Sequence, residues 1–397
     1  MSAQPEVRIA RRATAMMFLV DGVGFGVWAA LLPSLQRRLS LGDGELSGVL
    51  LVMAAGAMAA MGVVGKVISR FGCRVTLGWL APAFCVALCA PVLAPNLVTV
   101  GISAAVVGAL KGSIDVSINS LSISVEKALG RPVISSFQAW WSFGGLGAAG
   151  LTGLALRWGS TPVQITFFIV TVLMLISLMA PRHLLDEARI ESGRPESSGG
   201  FEPRLIWIGI LAFSALFVEG VMMDWSAIYS QRVAGAADWL APLAYGVFSI
   251  AMGVGRLLGD RVMGRFEPRT VVRYSGWLGA IGLGIAVIFP YWPATFCGLV
   301  AVGLGFSNLV PVFLGAASRV QPHAVAHAVA RVSMIGYTGF LAGPPLIGFL
   351  SNQIGLQLTF GVVGVLTLAL GLWGPALLLP KAELQSLSPD SINEPSS

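Results

Sequence analysis

The segment KGSIDVSIN, Lys111 to Asn119, sets a lysine and an aspartate inside an apolar run from about Asn96 to Val125. Residues four apart share one face of a helix. Lys111, Asp115 and Asn119 therefore form a polar stripe, with Gly108 and Gly112 on or beside it leaving room for a neighbouring helix or a solute. A lysine–carboxylate pair on such a stripe can hold a polar solute by charge-assisted hydrogen bonds. The competing role is a buried pair that holds helices 4 and 1 together. Three more acids lie deep in apolar runs: Asp21, Glu219 and Asp224. Asp21 and Glu219 have no cation at helical spacing. A carboxyl buried without a cation is costly to ionise, which is the property a proton-carrying group needs. Asp224 lies one and a half turns beyond Glu219, and solvation near the helix end is an equal alternative for it.

Amides and aromatics could complete a site. Asn119, Gln138 and Asn308 both donate and accept hydrogen bonds. Trp28 and Trp140 lie beside polar positions, as do Trp141 and Trp225, and an indole can stack on a ring or a cation. The expected solute-binding set is Asp115, Lys111, Asn119, Gln138, Trp140, Trp28 and Asn308. The expected proton carriers are Asp21 and Glu219. A contact with lipid is the competing explanation for each tryptophan.

Composition says what must position these residues. The chain has 397 residues, of which 55% are apolar and 11% charged, and its mean hydropathy is +0.80. A soluble domain carries about 25% charge, so this is an integral membrane protein. Its 49 glycines and 11 tryptophans suit membrane helices and their interfaces. The formal charge of +6 comes from basic residues at helix ends and does not point to nucleic acid. The four cysteines, Cys73, Cys85, Cys89 and Cys297, form no metal-ligand pair and read as small packing residues. Arg8, Arg11 and Arg12 precede the first apolar run, which lacks a small-residue cleavage site and contains Asp21. It is expected to remain as the first helix.

A helix needs about 20 apolar residues to cross a bilayer. Twelve such spans are predicted, at about 10–33, 46–68, 75–93, 97–124, 134–156, 161–180, 204–229, 239–259, 271–290, 293–317, 328–351 and 356–379. They divide into a bundle over 1–181, a polar linker over 182–203, a second bundle over 204–380 and a disordered tail over 381–397. Of the 25 basic residues, Arg37, Arg38, Arg157 and Arg232 fall on one side, Lys111 and Arg331 within spans, and all others on the opposite side. That bias predicts both termini in the cytoplasm. Pro344 and Pro345, within GFLAGPPLIG, predict a hinge or gate in the eleventh span.

The halves repeat. A shift of 195 residues lays RFGCR (70–74) on RFEPR (265–269) and Gln36-Arg37 on Gln231-Arg232. It also lays Gly144, Leu146 and Gly153 on Gly339, Leu341 and Gly348. Asp21-Gly22 resembles Glu219-Gly220, with Trp28 and Trp225 at similar distances beyond. Parallel six-helix repeats around a central cavity are a transporter plan.

At this point the residues resemble the major facilitator superfamily over essentially the whole chain. The family's loop between helices two and three, G-x-x-x-D-R-x-G-R-R, is answered by GKVISRFGCR through Gly65, Arg70, Gly72 and Arg74. Ser69 stands where the family has aspartate, although the second copy keeps Asp260-Arg261. The run from GSIDVSIN through VEKALGRPVISSFQ is similar to the MosC-like group of that superfamily, with Ile118 for a methionine and Gln138 for a histidine. The resemblance implies an all-α fold of twelve transmembrane helices in two pseudo-symmetric bundles. It implies alternating-access transport in a bacterial inner membrane, proton-coupled, for a small polar solute such as a sugar or cyclitol. Arg70, Arg74, Asp260 and Arg261 are then expected to gate the cytoplasmic side. The implied partners are solute, protons and lipid, with no cofactor, metal or nucleic acid, and the chain is expected to act as a monomer. A multidrug or metabolite efflux pump is the rival within transport and would show an acid facing an aromatic, amide-poor cavity. A transport-dead sensor would need a larger signalling tail. An enzyme is disfavoured: the sequence has no phosphate-binding G-x-x-x-x-G-K-[ST], no H-E-x-x-H and no G-x-S-x-G.

Overall fold

In the membrane no water can satisfy the backbone, so a chain this apolar must close its amide bonds within helices. The computed structural model describes residues 3–130, 133–185, 202–321 and 325–378, and apart from short connections they are helical. The first half comprises α1 (Ala3–Arg38), α2 (Asp43–Ala87), the short α3 (Cys89–Leu93), α4 (Leu97–Leu129), α5 (Ile134–Arg157) and α6 (Pro162–Met179). The second comprises α7 (Pro203–Arg232), α8 (Pro242–Leu257), α9 (Gly259–Arg265), α10 (Pro268–Ile288), α11 (Trp292–Phe306), α12 (Leu309–Val320), α13 (Val325–Ile354) and α14 (Leu356–Trp373). The helices make the twelve passes of two six-helix bundles.

Local chemistry sets their ends. Pro162, Pro203, Pro242 and Pro268 open α6, α7, α8 and α10, where a missing N–H costs nothing and φ is already helical. Asn96 and Thr161 cap α4 and α6 through their side chains. The second and third passes form one continuous stretch, α2, reversed at Gly72 with φ 81°. A side chain at that φ would be strained, which gives the glycine of the RFGCR loop its physical reason. Two departures from the predicted spans follow the same logic. The eighth pass divides into α8 and α9, and the tenth breaks at Ser307-Asn308 into α11 and α12. The eleventh pass runs unbroken through Pro344 and Pro345, and the Trp225 indole donates to the Pro344 carbonyl at 2.9 Å.

Packing repeats between the halves. α1 lies on α5 as α7 lies on α13, and α2 lies on α4 as α8 lies on α11. Across the seam α5 packs on α8, and α2 packs on α13. Glycine makes the seam close: a Cβ on Gly145 would lie 2.6 Å from the Tyr245 hydroxyl. Outward, large apolar side chains such as Trp79, Phe168, Leu175, Ile288, Val365 and Trp373 are exposed, as a lipid-facing perimeter requires. The linker over 186–201 and the tail beyond 378 fall outside the described residues, and so does the expectation placed on them.

Candidate functional site

The stripe on α4 turns towards α1. The Lys111 ammonium lies 2.6 Å from Asp115 Oδ1 and 3.0 Å from Asp21 Oδ2. The Trp141 indole donates to Asp21 Oδ2 at 2.7 Å. The ammonium also sits 5.8 Å from the ring centroids of both Phe25 and Trp141, within cation–π range. Asp21 is fully buried, Lys111 nearly so, and Asp115 keeps 28% side-chain exposure. A buried ammonium persists only with partners, and here two helices supply them. Lys111 thus clamps α4 to α1 and leaves Asp115 as the accessible member. Gly108 and Gly112 turn out to admit a helix: a Cβ on Gly112 would meet the Ala57 carbonyl of α2 at 2.8 Å.

Beside this cluster lies a cavity between the halves. Lys111, Asp115 and Trp141 line it from the first half, and Asp224, Tyr337 and Phe340 from the second. Met53, Met61 and Met223 add polarisable apolar surface. Its volume is about 70 Å³, so in this conformation it is small.

The other expected residues divide. Asn119 donates to the Asp115 carbonyl at 2.8 Å and accepts from Gln138 at 3.2 Å. Both therefore sit one turn from the cluster, committed to α4 and α5. Asn308 donates to Gly255 O and to Ser307 Oγ, each at 3.0 Å, securing the break between α11 and α12. Trp28 is buried on α1. Trp140 is 44% exposed and lines a different cavity of about 660 Å³, with Arg8, Arg11, Arg12, Leu129 and Ser136. That space lies at the face from which α1 starts.

Neither Asp21 nor Glu219 has a cation at helical spacing. The tertiary fold provides one for each. Lys111 meets Asp21, and Arg256 of α8 donates to Glu219 at 2.8 Å. Sequence reasoning missed Trp141 and Arg256 as partners, since each reaches its acid from a separate helix and no local spacing could reveal it.

The far face, where α1 ends and α2 begins, is closed by a reciprocal set of contacts. Arg232 pairs with Asp43, while Gln36 donates to Asp43 at 2.8 Å and Ser351 at 2.5 Å. In the mirror arrangement Arg37 pairs with Asp238 at 2.5 Å and Gln231 donates to Asp238 at 2.7 Å. The 195-residue shift that lays Gln36-Arg37 on Gln231-Arg232 also lays Asp43 on Asp238. That signal was readable but incomplete without the two aspartates. At the opposite face Arg70 and Arg74 flank the Gly72 turn, with the Arg70 guanidinium 5.3 Å from the Phe71 ring. Arg261 is exposed in α9. The side chain of Asp260 falls outside the described residues.

Comparison with known proteins agrees with this architecture. The sequence matches the profile of the Major Facilitator Superfamily over residues 13–318 and 241–394. It is 35% identical to an uncharacterised MFS-type transporter of Yersinia pestis, over 90% of this chain and 92% of that one. It is 31% identical to the membrane protein MosC of Rhizobium meliloti, over 89% of this chain and 86% of that one. Among solved structures, the nucleoside transporter NupG superposes with a TM-score of 0.69 at 12% identity, covering 95% of this chain and 99% of NupG. A D-xylose–proton symporter gives 0.70 at 14%, covering 94% and 98%. With two six-helix repeats around a charged central cavity, the chain belongs to the Major Facilitator Superfamily and is a multi-pass membrane transporter.

Proposed function

We propose that this transporter moves a small polar solute by alternating access, driven by the proton gradient, across a bacterial inner membrane with both termini in the cytoplasm. The observation that carries the reading is the Lys111–Asp115–Asp21 cluster at a cavity between the two halves. A charge at membrane depth is expensive unless it serves a path or a partner. Asp115 is the member with an oxygen accessible to a solute, and Lys111 fixes its orientation. The closed far face supports a state that loads or unloads on the cytoplasmic side. Arg70, Arg74, Asp260 and Arg261 belong to the complementary gate there, which closes when the far face opens.

The wall of the cavity bears on solute class. Its polar groups are Lys111, Asp115, Asp224 and the Tyr337 hydroxyl, while Phe25, Trp141, Phe340 and three methionines are prominent in its largely apolar remainder. Asn119, Gln138 and Asn308 are engaged within the protein. This favours a second reading beside the sugar- or cyclitol-like one: efflux of a solute with an apolar ring and a cationic group. Uptake and counterflow of labelled sugars, inositols and aromatic amines in proteoliposomes separates the two. One of these classes should be transported by the wild type and lose apparent affinity on Asp115→Asn. Equal affinity in wild type and Asp115→Asn for a transported solute removes Asp115 from the site.

A further inference from the structure

The sequence singled out four deep acids, and the fold gives three of them a cationic partner. Lys111 serves Asp21 and Asp115, and Arg256 serves Glu219. Asp224 is different. It lies on α7, is 8% exposed and lines the same cavity as Lys111 and Asp115. Its Oδ1 is buried and accepts no hydrogen bond among the described residues. Its neighbouring donors are the Trp28 indole and the Tyr245 hydroxyl, both buried, and neither makes a hydrogen bond of good geometry among the described residues.

The ionisable and polar groups around Asp224 can be enumerated by helix. α1 brings Asp21 and Trp28, α4 brings Lys111 and Asp115, α8 brings Tyr245 and Arg256, and α13 brings Tyr337. α11 and α14 carry no ionisable side chain apart from Cys297, and α12 carries only Arg319 near its end. The cations nearest the cavity are thus already bound to other carboxylates. Lys111 is shared between two carboxylates and offers Asp224 no counter-charge. Ionising Asp224 there would place an unpaired negative charge in a small, largely apolar space, which solvation physics opposes. A bound proton removes that charge.

We propose that Asp224 is the proton-carrying carboxylate of the transport cycle. It binds a proton when the cavity opens to the far face, stays neutral through the closed state, and releases the proton when water reaches it from the cytoplasmic side. No bond other than O–H forms or breaks. The assignment rests on the transport reading above and moves the coupling role from Asp21 and Glu219, each already paired with a cation, to Asp224.

The test has a readout that needs no solute. Infrared difference spectra of the purified protein in nanodiscs, titrated across neutrality, report the C=O stretch of protonated carboxylic acids. The wild type should show a pH-dependent band that Asp224→Asn abolishes, Asp224→Glu shifts, and Asp21→Asn and Glu219→Gln retain. Gradient-driven accumulation in proteoliposomes should be lost in Asp224→Asn, with helical content checked by circular dichroism. A band that survives in Asp224→Asn, or vanishes in Asp21→Asn instead, overturns the assignment. So does a wild-type spectrum with no protonated-acid band below neutrality, which makes Asp224 an ionised site for a cationic solute. If the band behaves as expected but no solute moves, the transport reading fails and the proton site stands.

Discussion

Lys111 holds together more of this site than any other side chain. It satisfies Asp21 and Asp115 at once and faces two aromatic rings. Breaking a buried pair by removing one partner costs about 3–5 kcal/mol, because the remaining charge is stranded. Lys111→Met should therefore lower the melting temperature of the detergent-solubilised protein clearly, and Asp115→Asn much less, since Asp115 is partly solvated. Adding Asp21→Asn to Lys111→Met should recover part of the loss, because the stranded carboxylate goes with it. Thermal unfolding followed by intrinsic tryptophan fluorescence checks this; no recovery in the double variant contradicts the clamp. At this scale the sequence was legible wherever the contact is local. The Lys111, Asp115 and Asn119 stripe follows from four-residue spacing and is seen in the structure. The Asp21–Lys111 and Glu219–Arg256 pairs join residues far apart in the chain, so helical spacing alone could not show them.

Among the elements, the far-face contacts show which charges matter. Arg37 and Asp238 are 49% and 60% exposed, and an exposed pair contributes only about 0.2–1 kcal/mol. Asp43 is 7% exposed and takes Gln36, Ser351 and Arg232 together; hydrogen bonds to a charged group contribute about 1.5–3 kcal/mol each. Arg37→Gln should barely disturb the closed far face, whereas Asp43→Asn should shift the population towards the state open there. Spin labels at Ser40 and Ala237, both exposed beside the seam, would report the change as a longer inter-label distance. An unchanged distribution in Asp43→Asn would remove the latch from the conformational balance. The helices themselves were readable from apolar length. Their breaks were less so: the reversal at Gly72 needs a positive φ, and the break at Ser307-Asn308 depends on a bond from Asn308 to Gly255 on another helix. The prolines of α13 lie inside a helix that continues through them.

For the whole molecule, the two-bundle plan was legible from repeat and composition, because both depend on averages over many residues. What the sequence could not convey was which acids remain unpaired once the bundles close. The central claim is that the cavity between the bundles opens to one side at a time. Alkylation of a single cysteine measures this most directly. Met61 lines the cavity, so Met61→Cys is made after replacing Cys73, Cys85, Cys89 and Cys297. A membrane-impermeant maleimide is then applied to right-side-out or inside-out vesicles. Labelling is expected from the cytoplasmic side in the otherwise unchanged protein, with a gain of labelling from the far side when Asp43→Asn is added. Labelling from both sides at once in the parent, or no gain on the far side with Asp43→Asn, would contradict that claim.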